Sequence, residues 1–203
     1  MIGLLLKDFF NLRKQMKIYL ILIIFYLAIG MVSGNPAMLS SMMAIVAFMI
    51  PITALSYDER SKWDRYALTM PLSRRSIVVS KYILGLIFLI MAFIVSILSN
   101  LFLNNILLEE SMVTNLSSLS MGLILMSIIF PIIFKLGVEK GRVYMMLVLF
   151  IPTAFILLLS KTGMTMPNEE TIKSFFYVLP VISVLMFTLS ILISVSIYNK
   201  KEF

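Results

Sequence analysis

Residues 18–57 read IYLILIIFYLAIGMVSGNPAMLSSMMAIVAFMIPITALSY, forty residues without a single charge. As one helix this run would reach roughly 60 Å, about twice the thickness of a bilayer's hydrocarbon core. It must therefore fold back, and Ser33-Gly34-Asn35-Pro36 supplies turn chemistry near its middle. Two spanning helices follow, near 18–33 and 38–57.

The same logic extends outward along the chain. Further uncharged runs occupy 82–108, 111–134, 143–160 and 174–199, each at or above the roughly 18 residues that a spanning helix needs. The composition agrees, because 61% of the 203 residues are apolar and only 13% charged, a balance that a water-soluble domain of this length cannot hide. The expected fold is an all-α integral membrane protein of six transmembrane helices. It is expected to form one domain over 1–203, with spans near 18–33, 38–57, 77–103, 116–137, 143–160 and 174–198.

Charge placement orients these spans. With the N-terminus in the cytoplasm, the inner segments carry Lys7, Arg13, Lys14 and Lys17; Arg60, Lys62, Arg65, Arg74, Arg75 and Lys81; Lys135, Lys140 and Arg142; and Lys200 and Lys201. Only Lys161 and Lys173 fall outside, so fifteen of the seventeen basic residues obey the positive-inside rule. Both termini are then cytoplasmic, and the Glu109-Glu110 and Glu169-Glu170 pairs lie in outer loops. The net charge of +7 is thus a matter of topology, since the basic residues sit between apolar runs and form no continuous nucleic-acid face. Met1 to Lys17 does not read as a cleavable leader, because its charges interleave with apolar residues and no small-residue cleavage pattern follows.

What the spans lack narrows the function. None of the six uncharged runs contains an ionisable group of the kind that carries a coupling ion in secondary transporters. With no histidine and no cysteine, zinc chemistry and thiolate metal sites cannot be assembled, and no base is at hand for a serine nucleophile. No Gly-x-x-x-x-Gly-Lys-Ser/Thr loop is present, so any ATP that drives the protein is hydrolysed by another subunit. The chain is expected to be no enzyme by itself and to bind no cofactor or metal. Prolines 51, 131, 152 and 180 lie within spans; they suit kinked helices in a moving transporter, and they are also simply commoner in membrane helices.

Two inner segments carry more information. Over residues 2–16, Ile2, Leu5, Leu6, Phe9, Leu12 and Met16 share one helical face, with Lys7, Asp8, Asn11, Lys14 and Gln15 mostly opposite. Such a helix should lie in the cytoplasmic headgroup layer. The second segment, 58–75, reads as a short helix with Ser61 and Asp64 as a capping box, Asp58 and Lys62 as an i,i+4 pair, and Pro71 as its stop. Trp63, Tyr66, Ala67 and Met70 then share a face. An aromatic stripe rimmed by charge fits a partner's cleft; the alternative is packing against the membrane surface.

On the residues Tyr57-Asp58-Glu59, Lys62-Trp63-Asp64-Arg65-Tyr66, Leu68-Thr69-Met70-Pro71 and Ser73-Arg74 through Ser80-Lys81-Tyr82, together with the opening Leu6-Lys7-Asp8, the chain resembles permease subunits of bacterial type-2 ABC transporters. The resemblance is to the small branch that includes bacitracin-resistance permeases and peptide-exporter permeases of the phenol-soluble modulin exporter kind. It implies a dimer of six-span permeases, formed with a second copy or a close paralogue, bound to two ABC ATPase subunits that carry ATP and Mg in the bacterial cytoplasmic membrane. It further implies that residues 2–16 are an elbow helix and 58–75 a coupling segment between spans two and three. Trp63, Tyr66 and Met70 would be the docking anchors there, and Glu59, Asp64, Arg65 and Arg74 the orienting charges.

For cargo the sequence offers less. Ser96, Asn100 and Asn104 share a face of the third span, and Ser183, Ser190 and Ser194 nearly do so on the sixth; such stripes either line a path or let helices approach and hydrogen-bond. Seventeen methionines and fifteen phenylalanines make an adaptable apolar wall. Together with the resemblance this points to export of an amphipathic or hydrophobic peptide, cytolytic or antimicrobial peptides included. A rival reading is a scaffold or sensor accessory that recruits a cytoplasmic protein and transports nothing.

Overall fold

A computed structural model describes residues 1–33, 35–103, 108–161 and 169–201. These residues form eight α-helices and no strand: α1 (Ile2–Leu12), α2 (Met16–Ser33), α3 (Pro36–Arg60), α4 (Trp63–Ala67), α5 (Arg74–Leu103), α6 (Leu108–Leu136), α7 (Val138–Lys161) and α8 (Glu169–Asn199). Among the described residues, four helical stretches are long and apolar enough to cross a bilayer, Ala37–Arg60, Arg74–Leu101, Met112–Leu136 and Tyr177–Asn199, and Met16–Gly30 is a shorter apolar one.

The turn expected inside the long apolar run lies where its chemistry places it. Asn35 caps α3, its side-chain oxygen accepting from the backbone N–H groups of Ala37 at 3.0 Å and Met38 at 3.3 Å. Pro36 opens the helix without wasting a donor. The helices run through Pro51, Pro131 and Pro180 without a break in assignment.

α3, α5, α6 and α8 make the centre of the bundle: α6 packs on α8, α3 on α5 and α6, and α5 on α6 and α8. Phe48, Val78, Tyr82, Met126, Ile129 and Phe130 form its buried middle. Tyr82 is the hub, meeting Phe130 and Phe187 edge-on with centroids at 4.8 and 5.3 Å. α2 leans on α3 alone among the substantial pairings, and α1 lies across α3 and α5.

Several buried polar groups link the helices of the bundle. The Tyr82 hydroxyl lies 2.7 Å from both Ser190 Oγ and Ser194 Oγ, joining α5 to α8, while Ser190 Oγ donates to the Ser127 carbonyl on α6. On the other side Ser40 Oγ donates to Asn115 at 2.7 Å and accepts from Asn100, tying α3, α5 and α6. Interhelical hydrogen bonds of this kind contribute about 0.6–2 kcal/mol each in a bilayer, where no water competes.

Candidate functional site: the charged knot around Trp63

Local structure between α3 and α5 departs from the expected capped helix. Ser61 terminates α3 instead of starting α4, its hydroxyl donating to the carbonyls of Tyr57 and Asp58. Lys62 then takes a left-handed conformation, φ 52°, which turns the chain out of α3 and breaks the helical register that an Asp58–Lys62 pair requires. α4 ends at Ala67, well before Pro71. The expected one-sided stripe is therefore divided. Ala67 is buried and Trp63 half-buried against the core, while Tyr66 is 59% exposed.

Asp58 has other partners. Its carboxylate sits 2.6 Å from Lys7 Nζ and 2.5 Å from Lys81 Nζ, and Lys81 also contacts both oxygens of Asp8 at 2.7 Å. Two lysines and two aspartates thus form a neutral cluster joining α1, α3 and α5, with Lys81 and Asp8 only 3% and 1% exposed. Lys7 lies 4.2 Å above the Trp63 ring centroid, so the cluster also holds α4 through a cation–π contact. Asp8, expected on the polar face opposite the apolar residues of α1, is buried instead. α1 turns Leu4, Asp8 and Leu12 inward, and Ile2, Leu6 and Phe10 outward. The i, i+4, i+8 spacing of those three residues was a signal in the sequence. Asp58 and Lys81, fifty and seventy-three positions after Asp8, were not connected to it by any pattern.

Glu59 and Arg74 of the segment close helix ends. Glu59 accepts from the Val138 N–H at 2.5 Å, capping the start of α7. Just before it Gly137 adopts φ +88°, and an added Cβ there would lie 2.6 Å from the Glu59 carboxylate. Arg74 Nη1 donates to the carbonyls of Tyr198, Asn199 and Lys201, neutralising the C-terminal end of α8. The Tyr198 hydroxyl donates to Asp64 at 2.9 Å, and Lys201 reaches the Phe134 carbonyl at the end of α6. Burial raises the Asp64 carboxyl above its ordinary value; the Tyr198 hydrogen bond opposes this and the Asp58 charge adds to it.

Of the residues expected to dock a partner, Glu59, Trp63, Asp64 and Arg74 are therefore drawn together by bonds within the chain. Arg65 and Tyr66 face outward from α4, and Met70 is half-exposed on the following turn. Of the two polar stripes, Ser96, Asn100, Ser183, Ser190 and Ser194 are all buried in the bundle; Asn104 lies outside the described residues. Sequence reading missed Lys7, Asp8, Asp58 and Lys81 as a unit, and also Ser40 and Asn115. Among the described residues no group of three or more acidic side chains is placed to hold a metal.

A second feature lies between α3, α6, α7 and α8. This groove of about 790 Å³ is lined by Asn35, Ser41, Thr114, Ser117 and Ser118 among apolar residues such as Met38, Ile45 and Met121. A small gap behind it, bordered by Ser96 and Asn115, shares Ala44 and Ser118 with its wall.

Long apolar helices, interior hydroxyl ladders and a charged knot at one end define a multi-pass helical membrane protein. The chain belongs to the ABC-2 family transporter proteins, whose family pattern matches residues 3–199. It is accordingly a transmembrane subunit of an ABC transporter, the membrane component that associates with an ABC ATPase. A search of curated proteins found no match.

Proposed function

We propose that this subunit forms the membrane path of an ATP-driven exporter of amphipathic or hydrophobic cargo, in the branch that includes bacitracin-resistance and peptide-exporter permeases. In this reading six spans place both termini in the cytoplasm of a bacterial cell. Two permeases, identical or closely related, pair with two ATPase subunits that bind ATP and Mg. The observation that carries the proposal is the knot itself. Residues 58–81 are bonded to α1, α7 and α8 while belonging to α3 and α5, so displacement of α4 cannot be absorbed locally. A push from the ATPase on the exposed Arg65 and Tyr66 face, with Met70 beside it, is passed to those helices together and rocks them as a body.

The cargo path is assigned to the groove between α3 and α6, where hydroxyl and amide groups are interspersed with methionine, a mixture suited to amphipathic peptides. Ser96 and Asn100 stand behind this wall. Ser183, Ser190 and Ser194 join the path when α8 moves away from Tyr82 during the cycle. Co-expression with the cognate ATPase and reconstitution into vesicles tests the scheme. ATP-dependent uptake of a labelled amphipathic peptide into inside-out vesicles, lost in Tyr66→Ala, supports it. ATPase binding without transport of any peptide marks a scaffold instead, and transport that persists without ATP marks a passive channel.

A further inference from the structure

α2 stands away from α5, and the space between them is not filled by protein. The result is a cleft of about 220 Å³ floored by Ala47 of α3 and walled by Tyr19, Ile23, Phe88 and Ala92, with Phe9 of α1 at its inner end. Tyr19 is held in the wall by a 2.7 Å bond to Thr53, and Phe9 by its ring contact with Phe88. An apolar slot at the edge of a membrane bundle does not stay empty, because the lipid that surrounds it is its natural filler.

Chemistry at the inner end of the cleft specifies the lipid. The α1–α2 turn runs directly from Leu12 to Met16, both of which line the slot; it carries Arg13 and Lys14, and Lys17 follows in the first turn of α2. All three are exposed, and among the described residues none makes an ion pair or a side-chain hydrogen bond. Three exposed cations are thus adjacent in sequence to Leu12 and Met16 at one end of the slot, while the lysine of α1, Lys7, is consumed in the buried cluster. Charge of one sign above an apolar groove is complementary to an anionic headgroup above its acyl chain.

We propose that this cleft is a binding site for one anionic phospholipid, an acyl chain lying between α2 and α5 and the phosphate resting on Arg13, Lys14 and Lys17. The lipid completes the wall that α2 leaves open and fixes α1 in the inner leaflet. The proposal needs the membrane setting but not the ATPase partnership, and its test reads lipid binding without nucleotide or transport.

Native mass spectrometry of the full chain in detergent, titrated with phosphatidylglycerol or phosphatidylcholine of the same acyl chains, is the direct measurement. One phosphatidylglycerol per chain should be retained, with an affinity at least about tenfold above phosphatidylcholine, as attraction of three basic residues to an anionic headgroup allows. The combined Arg13→Gln, Lys14→Gln, Lys17→Gln variant should bind the two lipids equally, and Ala92→Phe, which fills the slot, should retain neither. On the unaltered chain, dihexanoyl phosphatidylglycerol and glycerol 3-phosphate should fail to compete, a comparison that holds even where Ala92→Phe does not fold. Equal affinity for the two lipids in the unaltered chain overturns the site. So do a preference that survives loss of the three charges and competition by glycerol 3-phosphate. Displacement of the lipid by added ATPase would assign the basic turn to a protein partner and overturn it as well.

Discussion

Lys81 is only 3% exposed, and its charge is tolerated there because Asp8 and Asp58 both reach it. Removing one member of such a set leaves buried charge uncompensated, at about 3–5 kcal/mol. Lys81→Met should therefore lower the unfolding free energy of the solubilised protein by that order; a change within about 0.5 kcal/mol, as expected for a surface site, would refute the buried cluster. Gly137 is constrained twice, by its positive φ and by the Glu59 carboxylate above it. Gly137→Ala should destabilise by about 1–3 kcal/mol through the strained backbone alone, read as a lowered melting temperature. Asp64 gives a pH prediction. Its folded-state pKa is raised, so its contribution to stability is complete below the unfolded-state value and is lost as pH rises through the folded one. Asp64→Asn keeps an acceptor for Tyr198 but cannot ionise. Its melting temperature relative to the unaltered chain should rise as pH increases above about 4; a relative fall would show that the carboxylate is stabilised in place.

At the scale of elements, α4 is the informative case. Trp63 and Tyr66 are neighbours, ring centroids 5.7 Å apart, yet their surroundings differ. Trp63 lies beneath Lys7 and against the core, so Trp63→Ala should lower both stability and ATPase coupling. Tyr66 projects outward, so Tyr66→Ala should leave the melting temperature within about 1–2 °C while reducing ATPase association or peptide-stimulated hydrolysis several-fold. Equal loss of stability in both variants would deny Tyr66 its docking role. The helix itself was only partly legible in the sequence. Trp-x-x-Tyr spacing and Pro71 marked a short element, but its start depended on Lys62 leaving α3 in a left-handed turn, which no propensity favours for lysine. Ser61 was legible as a capping residue, though not as the one that ends the preceding helix.

For the whole molecule, the absence of cysteine makes sidedness directly testable. Single substitutions Tyr66→Cys and Asn35→Cys should label with an impermeant maleimide from opposite sides of the membrane, Asn35→Cys alone in intact cells; labelling of both from outside would dismantle the six-span scheme and the coupling role with it. The membrane class, the break between α2 and α3 and the position of the aromatic segment were all determined by sequence. Each is set by chain-local chemistry, the transfer of an apolar run out of water or the geometry of a few adjacent residues. Tertiary structure alone decided which charges meet. Lys7, Asp8, Asp58 and Lys81 come from three helices, and Glu59, Asp64 and Arg74 reach the ends of two more. Pairing over such separations follows from how the apolar faces pack, and packing is a property of the assembled bundle that no window of residues contains.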